Sequence, residues 1–157
     1  MTLDETLLQN LANWRPAGPG EKLSVAPPDS DWKIEIQAQA VDGVGARLWE
    51  VVLDRRSSTT DLRPLEDQAQ YIASRVTGLL EPLRVVEIDI LAGLAQLRSE
   101  APATRGASRF YYEVVRHTGG RTEVRRFESA GSARRERVLF SLTHEAIAKL
   151  ATDLASA

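Results

Sequence analysis

Trp32, Ile34, Ile36, Ala38 and Ala40 alternate with Lys33, Glu35, Gln37 and Gln39 over nine consecutive positions. A period of two is the mark of a β-strand with one face on a core and the other in water. Asp42-Gly43-Val44-Gly45 supplies turn chemistry, and Trp49, Val51 and Leu53 resume the alternation. The two runs predict an antiparallel hairpin. A sheet with a wet face argues against a doubly wound nucleotide-binding fold, whose parallel strands are buried on both sides.

Three helices are predicted around this sheet. Leu3, Leu7, Leu8, Leu11 and Trp14 recur at helical spacing, and Thr2 with Glu5 has capping-box spacing. Arg15-Pro16 ends that helix, and residues 15–30 hold four of the seven prolines. This composition reads as an extended connector, which makes residues 1–14 a tethered amphipathic helix ahead of a single domain over 31–157. Asp61 and Pro64 mark the second helix, with an apolar stripe of Leu65, Ala69, Ile72, Ala73, Val76 and Leu79. Thr143 caps the third, whose stripe is Ala146, Ile147, Leu150 and Leu154.

Further strands are expected at 86–90, 94–99, 110–115, 122–127 and 138–142, with loops at 101–108 and 129–136. Gly119-Gly120 reads as a two-residue hairpin loop. Counting outwards, Val115 faces Val124, Tyr112 faces Phe127, Glu113 faces Arg126 and Arg116 faces Glu123. The expectation is an α+β fold with a single antiparallel sheet of about five to seven strands and helices on one face. Its order is α-β-β-α-β-β-β-β-β-α. That order is similar, as topology alone, to small dimeric secretion chaperones and to helix-grip folds that enclose apolar ligands.

The 157 residues include no cysteine, which excludes disulfides, thiol nucleophiles and cysteine-ligated metals, and makes a cytoplasmic setting the expectation. No uncharged run approaches the roughly 20 apolar residues of a membrane span. His117 and His144 are 27 positions apart on different elements, so no metal site or cofactor is assigned. Gly43-Val44-Gly45 lacks the third glycine of a dinucleotide fingerprint, Leu48 standing there, and a strand follows. No catalytic residue is assigned. Glu87 and Asp89 share a strand face, which reads as the solvated set.

Residues 101–137 carry nine arginines against four glutamates, interleaved with Phe110, Tyr111, Tyr112 and Phe127. Interleaved glutamates weaken a nucleic-acid reading, and Arg134, Arg135 and Arg137 remain as the compact candidate anion site. The stripe Leu3, Leu7, Leu8, Leu11 and Trp14 is the candidate partner-binding face. The first functional expectation is a non-catalytic protein-binding, adaptor or chaperone-like domain with a protein partner or a homodimer. A carrier of a small apolar ligand is second, lined by Trp32, Trp49, Tyr112, Phe127 and Leu150. Single-stranded nucleic-acid binding through residues 105–137 is third.

Overall fold

The structure is a computed structural model that describes residues 1–57, 62–131 and 134–157. Along the chain come α1 (Leu3–Asn13), β1 (Lys22–Val25), β2 (Trp32–Val41), β3 (Gly45–Arg55) and α2 (Leu65–Arg75). Then follow β4 (Leu83–Asp89), β5 (Leu94–Ser99), β6 (Ala103–Arg105), β7 (Ser108–His117) and β8 (Thr122–Ala130). The chain closes with β9 (Glu136–Val138), β10 (Phe140–Thr143) and α3 (His144–Ala155).

The strands form one antiparallel sheet in the order β1-β2-β3-β8-β7-β5-β4. Ile36 lies opposite Val51, Val51 opposite Val124, Val124 opposite Val114, and Val114 opposite Leu97. This row of β-branched and leucine side chains crosses five strands on one face. Leu7 and Leu11 of α1, Ile72 of α2, and Ile147, Leu150 and Leu154 of α3 join the same core. The helices therefore cover one face, as the half-polar strands require.

Ten strands form among the described residues rather than five to seven. β1 arises inside the proline-rich connector and pairs with β2 at the sheet edge, where proline neighbours cost no ladder hydrogen bond. β6 arises inside the expected loop 101–108 and pairs with β7. The last strand is two short ones. β9 runs antiparallel to β8, and β10 antiparallel to β3. Since β3 and β8 are themselves antiparallel, the chain reverses at Leu139 and fills the fork where β8 leaves β3. Asp61, expected at the start of α2, and Ser132 and Ala133 of the expected loop 129–136 lie outside the described residues.

α1 begins with the expected capping box, Glu5 N–H donating to Thr2 Oγ1 while Thr2 N–H donates to Glu5 Oε2. Its leucines meet their own domain: α1 packs on α3, and Leu7 and Leu11 are fully buried. Leu3, Leu8 and Trp14 are half-buried against the same core. An apolar helix face buries itself against a neighbouring apolar surface in preference to staying in water, and α1 does so on α3.

The β7–β8 register differs from the expected one by a residue. Gly120 N–H donates to His117 O at 2.9 Å, and Gly120 holds φ 99°, so the loop has three residues, Thr118 to Gly120. Val114 therefore lies opposite Val124, Glu113 opposite Arg125, Tyr111 opposite Phe127 and Arg116 opposite Thr122. A one-residue slip exchanges the faces of every side chain. Arg116, counted opposite Glu123, lies instead on the core face with Tyr112 and Val114 and is fully buried.

Candidate functional site

The wet face of the sheet carries an alternating charge row. Glu50 on β3, Arg125 on β8, Glu113 on β7 and Arg98 on β5 follow one another across the strands. Arg125 Nε donates to Glu50 Oε2 at 3.0 Å, and Arg98 Nε to Glu113 Oε2 at 3.2 Å. Arg135 reaches over from the segment before β9 to donate to the same Glu113 carboxylate, its guanidinium 3.9 Å above the Phe127 ring. Glu123 accepts from His117, Arg121 and Arg125. Most arginines of the 105–137 segment thus have glutamate partners within the chain.

Burial pushes the Glu113 carboxyl up, but hydrogen bonds from Arg135 and Gln96 and the charges of Arg135 and Arg98 outweigh it and leave the group below the ordinary glutamate range. A carboxyl held low in the folded state contributes stability that is complete above the unfolded value of about 4.3 and is lost as pH falls through the folded value. The melting temperature of wild type is therefore expected to exceed that of Glu113→Gln at pH 7, with the gap closing below pH about 4. A gap that stays constant down to pH about 3 contradicts this account.

The remaining positive charge gathers at the fork between β3 and β8. A cleft of about 440 Å³ opens there, lined by Arg47, Arg105, Arg126 and Arg137, with Trp49 and Phe110 as aromatic walls and Val138 and Leu139 from the chain reversal. Arg126 Nη1 donates to Glu81 at 2.8 Å and stacks 4.4 Å from the Tyr112 ring, while Arg137 Nη2 donates to Glu50 at 3.2 Å. Arg47 is exposed and makes no ion pair among the described residues. Arg105 is also exposed and makes none, its guanidinium lying 5.7 Å from the Phe110 ring centre. Among the described residues no carboxylate lines the cleft. Four guanidinium groups beside two aromatic rings offer forked donors for carboxylates or phosphates and flat surface for a planar group.

The structure separates the expected anion site. Arg137 lines the cleft, Arg135 is engaged with Glu113 and Phe127, and Arg134 stands exposed. Arg105 and Arg126 belong to the 105–137 arginine-rich segment but not to the compact anion site, and Arg47 lies outside both, because the three come from three strands that only the sheet brings together. The expected lining of an apolar cavity is also divided. Trp32, Tyr112 and Leu150 belong to the helix side, whereas Phe127 lies under Arg135 and Tyr111 on the wet face, and Trp49 lies beside Gln37 and Arg137.

His117 Nε2 lies 3.1 Å from Glu123 Oε1, and His144 is buried with its Nε2 unpartnered among the described residues. Among the described residues no helix is long and apolar enough to cross a membrane. No protein-family model, curated protein or solved structure matches the chain.

Proposed function

We propose that this chain is a non-catalytic protein-binding module that takes an acidic segment of a partner protein into the arginine cleft. The observation carrying this reading is the pair Arg47 and Arg105, two guanidinium groups without carboxylate partners among the described residues, in a cleft walled by Trp49 and Phe110. Glutamate or aspartate side chains would complete those forks, and an aromatic residue of the same segment would lie against the rings. A nucleic-acid strand would need a basic track along its backbone. Here glutamates hold the neighbouring arginines, the formal net charge is −2, and the unpaired charge is local.

Fluorescence anisotropy with a labelled glutamate-rich peptide carrying one tryptophan tests the reading. Binding is expected at low salt and should weaken as salt rises. Arg47→Glu with Arg105→Glu should weaken it roughly tenfold or more, since each reversal replaces an attraction by a repulsion. No binding at low salt, or an affinity indifferent to both reversals, rejects the cleft as the site. Tighter binding of a single-stranded oligonucleotide than of the peptide would transfer the cleft to the nucleic-acid reading.

A further inference from the structure

We propose that the free edge of β4 pairs antiparallel with β4 of a second copy, about a two-fold axis between Val85 and Val86. This inference is independent of the cleft. β4 ends the sheet, and among the described residues β5 is its one neighbour there. Such an edge leaves a row of backbone donors and acceptors unpaired. Around it stand Leu80, Val86, Ile90 and Leu91, exposed to 92, 42, 69 and 102%. Apart from Met1 and Val44 these are all the exposed large hydrophobic side chains among the described residues. Leu80 is moreover the one non-glycine residue there with positive φ, at 63°.

Charge and facing select the register. A bulge at Val86 shifts the β4–β5 ladder, Val85 lying opposite Leu97 and Glu87 opposite Gln96. Leu83, Val85 and Ile88 consequently pack toward the core, while Arg84 and Glu87 share the wet face with Arg98 and Gln96. The alternating charge row of that face runs Glu50, Arg125, Glu113, Arg98 and then ends on Arg84, which is opposite Arg98 and has no carboxylate partner among the described residues. With the axis between Val85 and Val86, Arg84 meets Glu87 of the second copy and the row regains its alternation. Leu83 meets Ile88 on the core side, and Leu80 comes level with Leu91 beyond the strand ends. Moving the axis by half a residue sets Leu83 against a carboxylate. Moving it by a whole residue sets Arg84 against Val85 in one direction and, in the other, against Asp89, whose carboxylate is already accepting from Ala92 N–H at 2.9 Å.

Sedimentation equilibrium of the full chain is expected to give twice the monomer mass. Arg84→Glu and Glu87→Arg should each weaken the dimer at least tenfold by setting like charges opposite one another. The combined reversal should restore it, because both pairs are again of opposite sign. Both residues are exposed, so the variants should keep their fold, and circular dichroism is the check. In this cysteine-free chain, Arg84→Cys with Glu87→Cys should oxidise to a covalent dimer. A wild-type monomer at every concentration overturns the proposal. So does a dimer indifferent to the single reversals, or one that the combined reversal fails to restore.

Discussion

Replacing Arg116 with methionine should lower the unfolding free energy by roughly 3–5 kcal/mol, from several buried acceptors left unpaired at once, a large share of the total for a domain of this size. The guanidinium is fully buried and pairs with no Asp or Glu side chain among the described residues. Its Nε donates to Gln68 Oε1 at 2.7 Å, and Nη1 donates to Thr122 Oγ1 and to Leu154 O, both at 2.9 Å. Nη2 donates to Ala157 O at 3.2 Å. Arg116 therefore joins β7 to α2, to β8 and to the end of α3. The last turn of α3 holds no basic residue of its own, so Arg116 supplies from the sheet the positive charge that a helix C-terminus favours.

Burial, and secondarily repulsion from Arg55, lowers the Arg116 guanidinium to about 10, still charged at neutral pH. Methionine fills similar volume but strands the carbonyls of α3 and the Gln68 oxygen, each at about 1–3 kcal/mol. Urea unfolding followed by far-ultraviolet circular dichroism measures the loss. A loss under about 1 kcal/mol would show that water replaces the four bonds without penalty. Combining Arg116→Met with Gln68→Leu should cost less than the sum of the single changes by about 1 kcal/mol, because both remove the same bond.

The position of that arginine was hidden in the sequence for a specific reason. The β7–β8 hairpin doubles its informative residues: Tyr111-Tyr112, Val114-Val115 and Arg125-Arg126. A slip of one residue exchanges tyrosine for tyrosine, valine for valine and arginine for arginine, so the pairing pattern satisfies two registers almost equally. The β2–β3 hairpin has no such degeneracy. Ile34, Ile36 and Ala38 have polar neighbours on both sides, and their faces were legible; Ala40 and Trp49, read as continuing the core face, fall beyond bulges that expose Ala40 and bury Val41 and Leu48 instead. The caps of α1 and α3 were legible as well, since Thr2 and Thr143 act on backbone groups within their own first turns. The cleft was not. Arg47, Arg105 and Arg137 are 32 to 90 positions apart in the chain and become neighbours through the fork at Leu139. Nothing local in the sequence marks that reversal.

Gly120→Ala should destabilise the chain by roughly 2–4 kcal/mol, whereas Gly119→Ala, one residue away, should change it by under about 0.5 kcal/mol. Gly120 holds φ 99°, where an L side chain is strained. A Cβ there would meet Trp32 Cη2 at 2.9 Å and Cζ3 at 3.3 Å. Trp32 cannot easily withdraw, because the guanidinium carbons of Arg116 and Arg55 lie 5.5 and 6.0 Å from its ring centre. At Gly119 φ lies outside the left-handed region and nothing stands within 4 Å of an added Cβ. The comparison isolates the loop. If Gly120 fixes the three-residue turn, its replacement relaxes the register as well as the packing, and Arg116 loses its place opposite Thr122. Gly120→Ala should then abolish most of the further effect of Arg116→Met, since the bonds that methionine removes are already weakened. Additive losses from the two substitutions would mean that the register is held by the flanking strands, and that Gly120 serves only to clear space for Trp32.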